Sequence, residues 1–153
     1  MPTDTHITQR PVSNALLRTQ LNYKNTMTKT NQITWNVGNS KLPKRIIHFS
    51  LPSGHTCPAA NECLSRADMI TGKITDGKNT KFRCYSATQE AIYTHLRNQR
   101  WNNLFRIKGE SRKKIFYLLN ASLRKKHNEY LTDHGQRPII RAHVGGDLSL
   151  IHI

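Results

Sequence analysis

From Ser86 to Tyr130 the chain reads as two consecutive amphipathic helices, and any fold it adopts has to be built around them. Ser86 followed by Gln89 is a capping-box start, which predicts a helix from Ala87 to about Phe105. Ala91, Ile92, His95 and Leu96 mark its inner face, continued by Trp101, Leu104 and Phe105. Gly109 interrupts the pattern. A second helix follows from Ser111 to about Tyr130, with Ile115, Leu118, Leu119 and Leu123 on helical spacing. Gly135 and Pro138 punctuate its end.

Short apolar runs flank this helical block. Ile33 to Val37 has strand potential and is broken by Gly38-Asn39. Arg45 to Leu51 carries Ile46, Ile47, Phe49 and Leu51, a strand ended by Pro52-Ser53-Gly54. Pro58 opens a short helix in PAANECLSRAD, and ITGKITDGKNTKF reads as a loose hairpin. After the helices, PIIRAHVGGD reads as a buried strand closing on a Gly-Gly turn. The expected fold class is therefore α/β: a few short strands, two amphipathic helices and a cysteine-bearing loop region. Only the first strands of the layer are expected, so the domain reads as an incomplete fragment.

The expected organisation has three parts. Residues 1–31, rich in Thr, Asn and Gln, read as an extended polar arm, and residues 32–147 as a truncated α/β domain. The last six residues, LSLIHI from Leu148, match one translated frame of a common transposon-end sequencing adapter. Residues 148–153 are then read-through, and the protein is cut short near Asp147. The alternative is an ordinary apolar final strand.

Charge narrows the partners. Twenty-four Lys and Arg stand against nine Asp and Glu, a formal net charge of +15, which favours a nucleic acid or other polyanion. No run of about 18 apolar residues is present, so no membrane partner is expected. The start, MPTDTHITQRPV, lacks the apolar core of a secretory signal, which suggests the cytoplasm. Oligomeric state has no sequence signature here.

Between Arg97 and Lys126 ten cations face one acid, Glu110. Arg112, Lys113 and Lys114 crowd the first turn of the second helix, where each opposes the helix dipole by a few tenths to ~1 kcal/mol. Such a turn suits an anion such as phosphate. With Arg124, Lys125 and Lys126 these three are the candidate nucleic-acid contacts; a solvated helix face is the plain alternative. Trp101, Phe116 and Tyr117 are placed to stack bases, yet their spacing fits core packing better.

Cys57, Cys63 and Cys84 leave gaps of five and twenty residues. Clustered thiolates bind an iron–sulfur cluster or zinc, the latter with His55 or His48 as a fourth ligand. The gaps do not match a zinc knuckle or finger, and three small buried thiols remain a plain alternative. In RAHVGGD, Arg141, His143 and Gly145 share one strand face and Asp147 follows the turn. That grouping resembles a ligand site at an open α/β edge; a half-buried His beside a surface Arg is the plain reading.

Taken together, NSKLPKRIIHFSLPSGHTCPAANEC, RCYSA and RAHVGGD resemble the phage proteins of the gene product 88 domain family, over roughly Val37 to Asp147. The matching positions include Asn39, Lys41, Phe49, Leu51, Pro52, Thr56, Cys57, Pro58, Cys63, Cys84, Tyr85, Arg141, His143, Gly146 and Asp147. Ser86 and Gly145 depart from the usual Ala and Ser. The family's cysteines and strand motif are similar to those of phage relatives of radical S-adenosylmethionine enzymes, though the usual Cys-x3-Cys-x2-Cys spacing is absent. The resemblance implies Cys57, Cys63 and Cys84 as iron–sulfur ligands, and a pocket for substrate or S-adenosylmethionine at Arg141, His143 and Asp147. The enzyme so implied acts on or near nucleic acid in the cytoplasm of a bacterial host. The alternative is a zinc-stabilised or metal-free basic nucleic-acid-binding protein without catalysis.

Overall fold

Alternation at Ile33-Trp35-Val37 and Ile47-Phe49-Leu51 sets the first layer, because every second side chain of an extended segment lies on one face. A computed structural model describes residues 32–57, 63, 65–78 and 83–142. The polar arm, the start of the Pro58 helix and the 148–153 tail lie outside the described residues. Strand β1 (Asn36–Val37) pairs antiparallel with β2 (Ile46–His48). On its other side β2 pairs parallel with β5 (Ile139–Arg141), in the order β1-β2-β5. A second sheet is the antiparallel hairpin β3 (Arg66–Ala67) and β4 (Ile74–Thr75). Arg66-Ala67 is thus strand rather than the end of a helix. With helices α1 (Tyr85–Ile92), α2 (Thr94–Ile107) and α3 (Arg112–His134), the fold is mixed α/β.

The core is the buried cluster Ile33, Trp35, Ile47, Phe49, Leu51, Leu104, Ile107, Ile115 and Tyr130. Leu118, Leu119 and Leu123 pack against it from α3, as their spacing predicts. Trp35 reaches across the layers, its Nε1 donating to Ser122 Oγ at 2.9 Å. Asn103 bridges the segments at Thr34 and Ser50 by side-chain hydrogen bonds. Its Oδ1 accepts from the Thr34 N–H at 2.9 Å, and its Nδ2 donates to the carbonyls of Thr34 and Ser50.

The single helix expected over 87–105 is two, separated by Tyr93 in extended conformation (φ −104°, ψ 94°). Buried Arg97 explains the elbow. Its guanidinium donates to the carbonyls of Glu90 (2.7 Å) and Ala91 (3.4 Å), closing α1 by side chain where a continuing helix would use backbone N–H groups. Its remaining donors take the Met69 and Ile70 carbonyls of the β3–β4 loop, which ties the hairpin to the elbow. The inner face also differs from the expected apolar stripe. Ile92 and His95 are exposed, and α2 turns Arg97, Arg100, Asn103, Leu104 and Ile107 inward. Ser86 is not the cap either: Cys84 holds that position, and Ser86 Oγ accepts from Arg100.

Helix α3 begins as read, with the Ser111 hydroxyl accepting from the Lys114 N–H. It runs past Tyr130 to Gly135, whose left-handed φ of 65° is the conformation a helix C-terminus needs and glycine adopts readily. Gly54 (φ 71°) ends the Leu51-Pro52-Ser53 turn so close to Ser65 that a Cβ would lie 2.5 Å from the Ser65 carbonyl oxygen. That approach holds the turn after β2 against the start of β3.

Candidate functional sites

The β3–β4 hairpin positions two of the three cysteines. Asp76 accepts from Arg83 at 2.9 Å and from the Ser65 hydroxyl at 2.9 Å, and the Cys84 N–H donates to Ser65 Oγ at 3.4 Å. These bonds pull the segment before α1 onto the strand that follows Cys63. The Cys63 thiol lies close enough to the Cys84 thiol to oppose its ionisation. Cys57, at the end of the turn in which Thr56 Oγ1 donates to the Pro52 carbonyl, is half-buried. Among the described residues no group of three His, Cys, Asp or Glu side chains is gathered to hold a metal ion. Neither histidine weighed as a fourth ligand joins the Cys63 and Cys84 thiols. His55 packs edge-on against Trp101, and His48 Nε2 meets the Gly38 carbonyl oxygen at 3.3 Å.

Burial pushes the Cys84 thiol above its ordinary 9.0 and the adjoining Cys63 thiol adds to this, while the Ala87 and Ser86 N–H groups pull the other way. At neutral pH Cys84 is therefore held as the thiol. In chelator-treated protein, the pH profile of Cys84 alkylation should show a midpoint above 9.0 that falls in Cys63→Ser. A midpoint at or below that value would contradict the geometry.

The basic region divides into two populations. Arg97 and Arg100 are interior, committed to backbone carbonyls and to Glu90. On α3, Lys114 pairs with Glu110 (2.8 Å), Lys126 with Glu129 (3.2 Å), and Lys125 donates to Gln32 (3.0 Å). Arg112, Lys113 and Arg124 are exposed and make no such contact among the described residues. Phe116 and Tyr117, for which spacing favoured the core, are each 69% exposed. Only Trp101 of the three aromatics packs inward, against Phe105 and His55. Positions 113, 116, 117, 120 and 124 share one face of a 3.6-residue helix. Lys113, Phe116, Tyr117 and Arg124 thus form one outward stripe, about 17 Å long at 1.5 Å per residue.

Arg141 sits where the sequence places it, at the carboxyl end of β5 in register with His48. His143 and Asp147 lie outside the described residues. The strand itself is not buried: Ile139 is 54% and Ile140 46% exposed. Among the described residues β5 stands at the end of its sheet, with β2 as its one strand neighbour.

Sequence reasoning missed a pocket of about 470 Å³ beside β1 and the β1–β2 turn. Its lining includes Gly38 and Asn39 from the β1–β2 turn, His48 from β2, Tyr85 and Gln89 from α1, and Gln99 and Arg100 from α2. Asn39 shapes the wall, its Oδ1 accepting from the Lys41 and Leu42 N–H groups at 2.8 Å each. Lys41 then reaches over the Tyr85 ring, 4.4 Å from its centroid. Two motif positions far apart in sequence, Asn39-x-Lys41 and Cys84-Tyr85, thereby meet at one mouth. Burial holds the His48 imidazole below the ordinary 6.5; the Gly38 carbonyl opposes this, and Arg100 and Arg141 reinforce it.

A family model described as Gene product 88 matches residues 13–150. No curated protein and no solved structure matches the chain.

Proposed function

Since the chain belongs to the gene product 88 family, as its motifs indicate, we propose that it binds single-stranded nucleic acid along the outward stripe of α3. One observation carries this reading: two adjacent aromatic rings, each 69% exposed, stand among cations with no acidic partner among the described residues. Leaving a Phe or Tyr ring in water forgoes roughly 1.5–3 kcal/mol of burial energy that a core position would supply. A base offers a flat apolar face for such a ring, and its phosphate offers an anion for Lys113, Arg112 or Arg124. Duplex nucleic acid keeps its bases stacked on each other, so exposed rings favour a single strand. No helix among the described residues is long and apolar enough to cross a membrane.

The test is fluorescence anisotropy with a labelled single-stranded oligonucleotide across a salt series. Arg112, Lys113 and Arg124 together predict that log K falls against log salt with a slope of about −2 or steeper. A flat salt response, or a duplex that binds as tightly as the single strand, would remove the reading.

Metal binding by the thiols is a second reading, supported by the Cys63–Cys84 proximity alone. Two thiolates with donors from elsewhere suit zinc as well as an iron–sulfur cluster. Anaerobically prepared full-length protein, assayed for iron, labile sulfide and zinc, separates these, and metal-free protein counts against both. Cluster-dependent catalysis with S-adenosylmethionine would need a third thiolate, for which Cys57 is the candidate.

A further inference from the structure

The pocket beside β1 has a second role open to it. Its floor includes two side chains more than nine-tenths buried, Arg100 and His48, each with a nitrogen unpartnered among the described residues. Arg100 Nη1 makes all three of its hydrogen bonds, to Glu90 Oε1, the Ser86 hydroxyl and the Ser86 carbonyl. Arg100 Nε, on the other edge of the guanidinium, has no partner among the described residues. His48 Nε2 meets the Gly38 carbonyl oxygen, so Nε2 carries the proton, and Nδ1 has no partner among the described residues. Buried polar atoms are almost always paired, and each one that is not costs about 1–3 kcal/mol. Two such atoms on side chains that line one cavity point to a ligand that completes them.

Charge and shape restrict that ligand. Glu90 balances Arg100, which leaves Lys41 at the mouth and Arg141 beside His48 as uncompensated cations among the described residues. The local field favours an anion, and the Nε edge of a guanidinium suits the paired oxygens of a phosphate. The rim is flatter and less polar, with Tyr85, Ile92 and Tyr93 all exposed. The volume of about 470 Å³ falls in the range of small-molecule sites and suits a molecule of mononucleotide size. His48, at the carboxyl end of β2, lines the pocket, and ligands of open α/β sheets gather outside the carboxyl ends of parallel strands.

We propose that this pocket binds a small organic phosphate, its phosphate accepting from Arg100 Nε and donating a P–OH to His48 Nδ1, with its ring lying against Tyr85. The site is independent of the α3 stripe, because none of its lining residues belongs to α3.

The experiment titrates isotope-labelled full-length protein with inorganic phosphate and with adenosine 5′-monophosphate. The Arg100 Nε–H and His48 imidazole signals are followed by NMR. Both probes should shift both signals saturably, with the nucleotide bound roughly tenfold more tightly than phosphate. Tyr85→Ala, at an exposed position, should abolish that tenfold advantage and leave phosphate binding unchanged. Gln99→Glu, which adds a carboxylate to the wall, should weaken both probes by roughly tenfold or more. Saturable shifts absent at Arg100 and His48 with both probes would overturn the proposal. So would shifts confined to α3, or a nucleotide advantage that survives in Tyr85→Ala.

Discussion

Glu90→Ala is expected to lower the unfolding free energy by about 3–5 kcal/mol, the usual cost of stripping one partner from a buried ion pair. Glu90 is fully buried, and its Oε1 accepts from the Ser53 N–H (2.9 Å), the Ser53 hydroxyl (3.0 Å) and Arg100 Nη1 (2.5 Å). Removal leaves the Arg100 cation in the interior without compensation. It also strands the Ser53 N–H, which fixes the turn after β2. Two elements lose their anchor together, since α1 holds the turn and α2 supplies Arg100. Glu110→Ala is the control, because its partner Lys114 is exposed and such i,i+4 pairs contribute only ~0.5 kcal/mol. Urea unfolding of both variants decides the matter. Equal midpoints for the two would show that the Glu90 pair does not organise the fold.

Phe116→Ala combined with Tyr117→Ala should weaken single-stranded oligonucleotide binding about 100-fold, at roughly 1–3 kcal/mol for each base stacked. The same pair of substitutions should leave the thermal midpoint nearly unchanged, since neither ring contributes to the buried cluster. That separation is what makes the measurement informative. A core role for the rings would move stability first, whereas a binding role moves affinity alone. Unchanged affinity in a variant that still melts cooperatively would leave α3 as a solvated basic helix.

These two expectations also show what was legible in the chain. Helix α3 was readable from Ile115, Leu118, Leu119 and Leu123, from Ser111 at its start and from Gly135 at its end. Its signal is local, because caps and 3.6-residue periodicity lie within a few residues of each other. The α1–α2 elbow was not readable. It depends on Arg97 taking carbonyls from Glu90 and Ala91 and from the hairpin loop at Met69 and Ile70. A run of Arg and Lys in sequence gives no sign of which members are surface cations and which are interior struts. Phe116 and Tyr117 failed for a related reason. Their spacing fits packing, but the core face of α3 is already filled from the other side.

The candidate sites divide in the same way. Motif order placed the chain in its family, and it marked Asn39, Lys41, Cys84 and Tyr85 without saying what they do together. Folding gives two of them different tasks: Asn39 closes a turn, and Tyr85 lies under Lys41 at the mouth of a pocket. His48 stood in the apolar run of a strand, and Glu90 and Arg100 within a single helical pattern, where nothing marks them as partners.

By itself, then, the amino-acid order determined the family, the mixed α/β class, the long third helix and the excess of positive charge. Each follows from local periodicity, composition or motif order, which are complete within short stretches of chain. The tertiary structure alone decided that Cys63 lies near Cys84, that Glu90 neutralises Arg100, and that Phe116 and Tyr117 face outward. Those outcomes depend on contacts between residues brought together by the sheet and the elbow. In a low-dielectric interior, the pairing of charges and polar atoms is settled by which neighbours arrive.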